Sequence, residues 1–158
     1  MTVDLDALDR RIVDRLVRDG RTPASQIADE VGLSRPAVAE RIEKLERQGV
    51  IRGTTAVVEP TALGHTVTAF IAARGATLST KAWQAFRSVM RGEEVLEVHT
   101  VAGDDCYLVK VRTDSITSLN ALVSKLTSPP LSLATRTTIV MQTHCEKVGG
   151  IMLGEDKQ

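Results

Sequence analysis

The sequence contains few aromatic residues: Phe, Trp and Tyr make up 3% of its 158 residues. The four positions are Phe70, Trp83, Phe86 and Tyr107. Proteins that bind single-stranded nucleic acid by base stacking need more aromatic side chains than this, so that class is disfavoured. The formal net charge is zero. This balance excludes a strongly basic surface that binds any polyanion, but it permits a local basic patch.

Cysteines and long apolar runs are also scarce. The two cysteines, Cys106 and Cys145, are far apart and show no CxxC spacing, so neither a zinc ribbon nor a disulfide framework is expected. No apolar run approaches the length of about 18 residues that a membrane span needs, and the N-terminus is acidic and amphipathic. We therefore expect a cytoplasmic protein with no membrane span, secretory signal, metal or other cofactor.

Two parts of the chain differ in composition and periodicity. Residues 1–53 hold 10 of the 20 basic and 10 of the 20 acidic residues and show helical spacing, whereas residues 54–158 are rich in Thr, Val, Ala and Leu and alternate like strands. This change predicts four segments. They are a helical domain (1–53), a linker (54–65), a strand-rich domain (66–146) and a flexible tail (147–158).

The first part predicts three helices, over about Asp6–Arg18, Pro23–Val31 and Arg35–Gln48. Thr22 and Ser34 are suited to the N-cap positions of the second and third helices, since both precede a proline-containing first turn. After the third helix, the β-prone segment Thr54–Val58 predicts a short strand that leads out of the helical domain.

One face of the third helix is apolar and the opposite face is polar. Val38, Ile42 and Leu45 recur at helical spacing, and a tight turn at Gly32 separates this helix from the second. This is the sequence form of a helix-turn-helix, in which the third helix reaches base edges and its N-terminus favours phosphate. The predicted DNA-binding residues are Ser34, Arg35, Pro36 and Ala37 in the major groove, Arg41 and Lys44 near phosphates, and Glu40 on the same face. The same pattern also fits a three-helix interaction module whose charges are merely solvated.

The second part repeats a strand-helix-strand pattern twice. The predicted order is strand 67–73, helix 79–91, strand 95–101, strand 106–112, helix 115–127 and strand 133–143. Such a series predicts a βαββαβ, ferredoxin-like domain, and the whole chain is then of the α+β class. Helices cover only one face of this sheet, so we expect the other face to pack against a second copy in a homodimer.

Four segments resemble the Lrp/AsnC, or feast/famine, family of transcription regulators. They are Gly32–Gly49 (GLSRPAVAERIEKLERQG), Gly49–Thr55 (GVIRGTT), Val98–Leu108 (VHTVAGDDCYL) and Arg136–Met141 (RTTIVM). The resemblance covers about residues 4–145. It implies a winged helix-turn-helix DNA-binding domain over residues 1–53, a hinge strand or linker over 54–65 and a RAM-type amino-acid-sensing and oligomerisation domain over 66–146. It also implies dimers that gather into octamers or related rings.

The resemblance implies an effector site at the turn Ala102–Tyr107, between subunits of neighbouring dimers. The residues that it implies are Thr100, Val101, Ala102, Gly103, Asp104, Asp105, Cys106, Tyr107, Ile139 and Val140. The chemistry of the turn suits a free amino acid, because turn N–H groups can hold a carboxylate and Asp104 or Asp105 can receive an ammonium. A plain hairpin turn is the alternative. Two departures from the family pattern are Glu43, where many members have a basic residue, and Cys106, where leucine-responsive members commonly have an acidic one.

The expected function is a sequence-specific DNA-binding transcriptional regulator that binds a pseudo-palindromic site and is modulated by an amino acid. One alternative is an enzyme that resembles the sirohaem decarboxylases. Its only histidines would be His65, His99 and His144, which show no paired spacing, so we expect no enzyme. The other alternative is an architectural DNA-binding protein of low specificity. The balanced net charge weighs against it, because non-specific binding depends on phosphate neutralisation.

Overall fold

A computed structural model describes residues 3–75 and 79–146 of the chain. The chain divides into two compact units, with the division between Val57 and Val58. Each unit has its own hydrophobic core. In the described parts of the chain, no helix is long and apolar enough to cross a membrane.

The first unit consists of three helices, α1 (Ala7–Arg18), α2 (Ala24–Val31) and α3 (Arg35–Arg47). The predicted cap of α3 is confirmed, since the Ser34 hydroxyl accepts a hydrogen bond from the Ala37 N–H at 3.4 Å. Gly32, between α2 and α3, has a φ of 75° and adopts the left-handed conformation. The buried residues of the three helices form one core, which comprises Ile12, Ile27, Ala28, Val31, Val38 and Leu45.

Two local predictions for this unit are wrong. The Thr22 hydroxyl does not cap α2; it donates to the Asp19 carbonyl at 2.8 Å, and Pro23 occupies the N-cap position without a side-chain hydrogen bond. The strand predicted over Thr54–Val58 is absent. A strand exists only when its backbone groups pair with a neighbour, and no described residue pairs with this segment.

The second unit begins with a 3₁₀ turn at Pro60–Leu63 and contains four strands and two helices. In chain order these are β1 (Val67–Arg74), α4 (Thr80–Met90), β2 (Val95–Thr100), β3 (Tyr107–Thr113), α5 (Ile116–Thr127) and β4 (Ala134–Ile139). The sheet order is β2-β3-β1-β4, with every neighbouring pair antiparallel. This arrangement confirms the predicted ferredoxin-like domain and the α+β class.

Side-chain alternation separates the two faces of the sheet. In β3, Val109 and Val111 are fully buried beneath the helices, whereas Leu108 and Lys110 point to the opposite face. The core beneath the helices comprises Ala69, Ile71, Ala73, Ala82, Phe86, Val109, Val111, Leu119, Leu122, Leu126, Leu131 and Leu133.

Two details differ from the sequence pattern. Helical spacing predicts that Ile116 is buried with Leu119, Leu122, Val123 and Leu126 on one side of α5, but Ile116 is 55% exposed. Ile116 only begins α5, and Leu119 is the first residue of its apolar stripe to reach the core. Strand β4 ends at Ile139, opposite Ala69 of β1, instead of at Thr143, and one further backbone hydrogen bond follows, from the Val140 N–H to the Thr68 carbonyl at 2.8 Å. The predicted flexible tail, 147–158, lies outside the described residues.

Candidate DNA-binding surface and ligand site

The N-terminal turn of α3 is exposed on a helix whose back is buried. Ser34, Arg35 and Pro36 are all exposed, whereas Val38 and Leu45 are fully buried. The apolar face of the helix therefore packs against the core of the first unit, while its first turn faces solvent. Backbone N–H groups and the positive end of the helix dipole at this turn favour an anion such as phosphate. Of the other predicted contacts, Ala37 is half-buried and Glu40 is exposed.

Arg41 does not lie on this exposed face. Its Nη1 atom is 2.6 Å from Asp6 Oδ2 and 2.6 Å from Asp9 Oδ1, both at the start of α1. The Asp9 side chain is only 2% exposed. Lys44 Nζ is 4.0 Å from the other carboxylate oxygen of Asp9, and its side chain is half exposed. The structure thus places Arg41 against carboxylates of its own chain.

The ionisation of this group follows from its geometry. The backbone N–H of Asp9 donates to Asp6 Oδ1 at 2.7 Å, and together with the Arg41 guanidinium it lowers the pKa of Asp6 below the usual 3.8. In return, hydrogen bonds to Asp6 and then to Asp9 raise the pKa of Arg41. Charges of both partners are therefore stabilised.

The remaining charges of α3 differ in their partners. Arg47 Nη1 lies 3.5 Å from Glu43 Oε2, one turn earlier, and both side chains are exposed. Arg35 forms no ion pair with any residue in the described ranges. Arg35 is consequently the basic side chain of α3 that is most available to an external partner.

The turn between β2 and β3 is fixed at its base and open at its tip. The Val101 N–H donates to the Cys106 carbonyl at 3.1 Å, and the Cys106 N–H donates to the Ala73 carbonyl at 3.0 Å. Gly103 has a φ of 129° and no atom within 4 Å of the position of an added Cβ. Within the described part of the chain, the amides of residues 102–105 have no hydrogen-bond acceptor.

The two aspartates of this turn differ. Asp105 Oδ2 accepts from Arg136 Nη2, on β4, at 3.0 Å. Asp104 is exposed and forms no ion pair with another described residue. Next to the turn, the Tyr107 ring lies 4.6 Å from Phe86 and 6.5 Å from Trp83 between centroids. The only tryptophan of the chain therefore lies close to the turn.

Ile139 and Val140 lie apart from the turn within one chain. Tyr107 pairs with Ala73 on β1, but Ile139 pairs with Ala69, four residues earlier on the same strand. At the usual rise along a strand, this separation is about 13 Å. Thr100 and Val101, in contrast, lie at the base of the turn.

Sequence reasoning missed Asp6 and Asp9 as partners of α3, and Arg136 as the partner of Asp105. A signal for Asp9 existed, because it occupies the same helical stripe as Leu5, Ile12 and Leu16. A carboxylate at a buried position requires a basic partner. Nothing local to Arg136 indicates its pairing with Asp105, which is 31 residues earlier.

The three histidines belong to no group of three metal-ligating side chains in the part of the chain that the structure describes. His65, His99 and His144 are exposed, and His99 Nε2 lies 3.1 Å from Glu97 Oε2 on the sheet. No group of three metal-ligating side chains occurs among the described residues.

The fold and the exposed α3 define a helix-turn-helix protein with a separate ferredoxin-like domain, and comparison with known proteins identifies both parts. Residues 5–46 match the AsnC-type helix-turn-helix domain, and residues 68–149 match the Lrp/AsnC ligand binding domain. The chain belongs to the Lrp/AsnC family. It is a DNA-binding transcriptional regulator with a ligand-binding domain.

Individual relatives cover nearly the whole chain. The HTH-type transcriptional regulator FL11 of Pyrococcus abyssi is 38% identical over 92% of this chain and 95% of its own length. The leucine-responsive regulatory protein of Escherichia coli K12 is 36% identical, over 88% of this chain and 86% of its own. Among solved structures, the feast or famine regulatory protein of Mycobacterium tuberculosis complexed with L-methionine has a TM-score of 0.80 and 34% identity. That match covers 90% of this chain and 96% of the solved chain.

Proposed function

We propose that this protein represses or activates transcription by binding a pseudo-palindromic DNA site as a homodimer, and that a free amino acid modulates this binding. The observation that carries the proposal is the exposed first turn of α3 on a helix whose back is fully buried. Arg35 would pair with a guanine, a contact worth roughly 1–3 kcal/mol of discrimination. As a regulator that meets chromosomal DNA, the protein would act in the cytoplasm.

The homodimer would form through the face of the sheet opposite the helices. That face carries the exposed Phe70 and the half-buried Leu108, beside an ion pair in which Lys110 Nζ lies 3.3 Å from Glu97 Oε1. Phe70 lies opposite Lys110 on the two internal strands, and exposed aromatic side chains of this kind are enriched in protein interfaces. Larger rings such as octamers would assemble from these dimers, with the effector turns between them.

For the effector we propose a zwitterionic amino acid, held by its carboxylate at the amides of residues 102–105 and by its ammonium at Asp104. Asp104 is favoured over Asp105, which Arg136 already neutralises. L-Methionine and L-leucine are the first candidates, because a relative 34% identical was solved with L-methionine and others are named leucine-responsive. Both have a compact apolar side chain, which the neighbouring aromatic cluster suits.

The DNA part of the proposal is tested by fluorescence anisotropy on duplex DNA from upstream of the protein's own gene. A scrambled duplex is the control, and each is titrated over a salt series with and without the twenty amino acids. We expect a specificity ratio of about 10³ or more, and this ratio should change with an amino acid. Equal binding to both duplexes would favour the architectural alternative, and no binding would refute the role of α3.

The effector part is tested through the fluorescence of Trp83, titrated with L-methionine and L-leucine. Asp104→Asn should abolish the response, and Asp105→Asn is the matched control that removes one neighbouring carboxylate. If Asp105→Asn abolishes the response and Asp104→Asn does not, the ammonium assignment is wrong. A tetrapyrrole absorbance band in the purified protein would instead favour the decarboxylase alternative.

A further inference from the structure

We propose that Arg41 is a positioning residue of the recognition helix and not a phosphate contact: Asp6 and Asp9 hold it so that α1 fixes the orientation of α3. The inference rests on the proposed DNA-binding function and names a pair of carboxylates on which specificity depends. The two carboxylates lie at the start of α1, one at its N-cap and one in its first turn, outside the helix that we propose to contact the DNA.

The geometry of Arg41 is that of an internal link between two helices. A single guanidinium nitrogen contacts Asp6 Oδ2 and Asp9 Oδ1, each at 2.6 Å. Such short distances are typical of charge-assisted hydrogen bonds. Asp6 is also the N-cap of α1, because its other oxygen accepts from the Asp9 N–H. The link therefore joins the first turn of α1 to the middle of α3.

Burial makes this link obligatory. The side chain of Asp9 is 2% exposed, and a buried carboxylate without a partner is strongly unfavourable. Among residues 3–75 and 79–146, the basic group near its second oxygen is Lys44, at 4.0 Å, which is beyond hydrogen-bond distance. Arg41 is consequently the direct partner of the Asp9 carboxylate. If Arg41 moved to a DNA phosphate, Asp9 would be left with a buried and poorly compensated charge.

The position of Arg41 on the helix supports the same conclusion. Arg41 lies three residues after the buried Val38 and four before the buried Leu45. With 3.6 residues per turn, it therefore lies beside the apolar stripe. The predicted contacts Pro36 and Glu40 lie on the exposed side. The apolar stripe holds α3 against the core, and Arg41 fixes its rotation from one flank.

The two roles predict opposite effects of Asp9→Asn on DNA binding. If Arg41 positions α3, this variant should lower the specificity ratio by about tenfold, the loss expected for one weakened base contact, with the salt slope unchanged. If Arg41 contacts phosphate, the variant should release it and strengthen binding to both duplexes. Asp14→Asn is the matched control, because it removes a carboxylate of α1 that pairs at the surface with Arg18.

Substitution of the basic residues completes the test. Arg41→Gln should lower the specificity ratio without changing the salt slope, and Arg41→Lys should restore the ratio because an ammonium can serve both carboxylates. Lys44→Gln should instead reduce the slope by about 0.9 for each protomer bound. Should Arg41→Gln reduce the slope as Lys44→Gln does while the ratio is kept, the proposal is overturned.

Two further results keep the test decisive. If Asp9→Asn does not fold, Asp6→Asn replaces it, because Asp6 is half exposed and its substitution leaves no buried polar group. If the parent protein itself does not discriminate between duplexes, the proposed function fails. A double-mutant cycle between Asp9→Asn and Arg41→Gln, measured by urea unfolding, then still reports whether the two side chains are coupled. Additive effects would remove the physical basis of the positioning role.

Discussion

Replacing Gly32 by alanine tests whether the turn between α2 and α3 requires a left-handed backbone conformation. At this site the substitution affects stability only through the backbone. Gly32 has φ 75° and ψ 36°, and its N–H donates to the Ala28 carbonyl at 2.9 Å at the end of α2. An added Cβ would meet no atom within 4 Å, so neither overpacking nor new contacts contribute. The change in the free energy of unfolding therefore comes from conformation alone.

Two opposing effects give the magnitude. In a residue with a Cβ, the left-handed conformation lowers the free energy of unfolding by about 1–2 kcal/mol. The unfolded alanine variant has less conformational entropy to lose on folding, which raises the free energy of unfolding by about 0.4–1 kcal/mol. Gly32→Ala should therefore lower the free energy of unfolding by about 1 kcal/mol. Gly32→Asn should lose less, because asparagine tolerates this conformation.

Urea unfolding followed by far-ultraviolet circular dichroism measures the loss, because the first unit is entirely helical in its regular structure. Gly49→Ala provides a parallel measurement, since Gly49 has a φ of 72° and the same open surroundings. We expect similar losses at both sites. An alanine variant at Gly32 that is as stable as the parent would refute the requirement for a left-handed turn.

Three further predictions follow from burial and charge. Leu126→Ala, at a residue 1% exposed, should cost about 3–5 kcal/mol because it leaves a cavity; urea unfolding monitored by Trp83 fluorescence measures this loss. Arg136→Ala should cost less than about 1 kcal/mol in the same assay, because the pair that it breaks lies at the surface. Asp6 contributes stability above its ordinary pKa of 3.8, and this contribution is lost as the pH falls through its lower folded-state pKa. The free energy of unfolding should therefore decrease more between neutral and acidic pH in the parent than in Asp6→Asn, which lacks this carboxylate. Urea unfolding at a series of pH values measures the difference.

Features with local causes were predicted well. Ser34 before a proline-containing turn predicts a cap, and the structure has it. The six elements of the second unit follow from alternation and helical spacing, and their order restricts the sheet to few topologies. The strand predictions that the structure corrects depend on backbone pairing with a neighbouring strand. A β-prone segment such as Thr54–Val58 does not form a strand when the described chain offers it no neighbour, and β4 ends at Ile139, four residues before the predicted Thr143.

The candidate site shows the same division between local and long-range causes. The sequence identified the exposed turn of α3 and the Gly103 turn, because caps and turn residues are local signals. It placed Arg41 near phosphate, since a basic residue on a polar helix is ordinarily solvated. The link to Asp6 and Asp9 spans more than thirty residues, and only the tertiary fold determines such a pair.

The pairing of charges in α3 limits how strongly salt can affect DNA binding. Of its four basic residues, Arg41 is held by α1 and Arg47 pairs with Glu43. Arg35 and Lys44 are left to contact phosphates or bases from this helix. If Arg35 contacts guanine and Lys44 contacts phosphate in each of two protomers, the contribution of this helix is a fall of log K with log salt at a slope of about −1.8. Anisotropy titrations of the parent protein over a salt series measure this slope. A slope about three times as steep would mean that Arg41 and Arg47 leave their carboxylate partners to bind DNA, and the structure of the free chain would then not describe the bound helix. A slope near the expected value, together with a large specificity ratio, would instead show that base contacts from a rigidly held helix provide most of the discrimination.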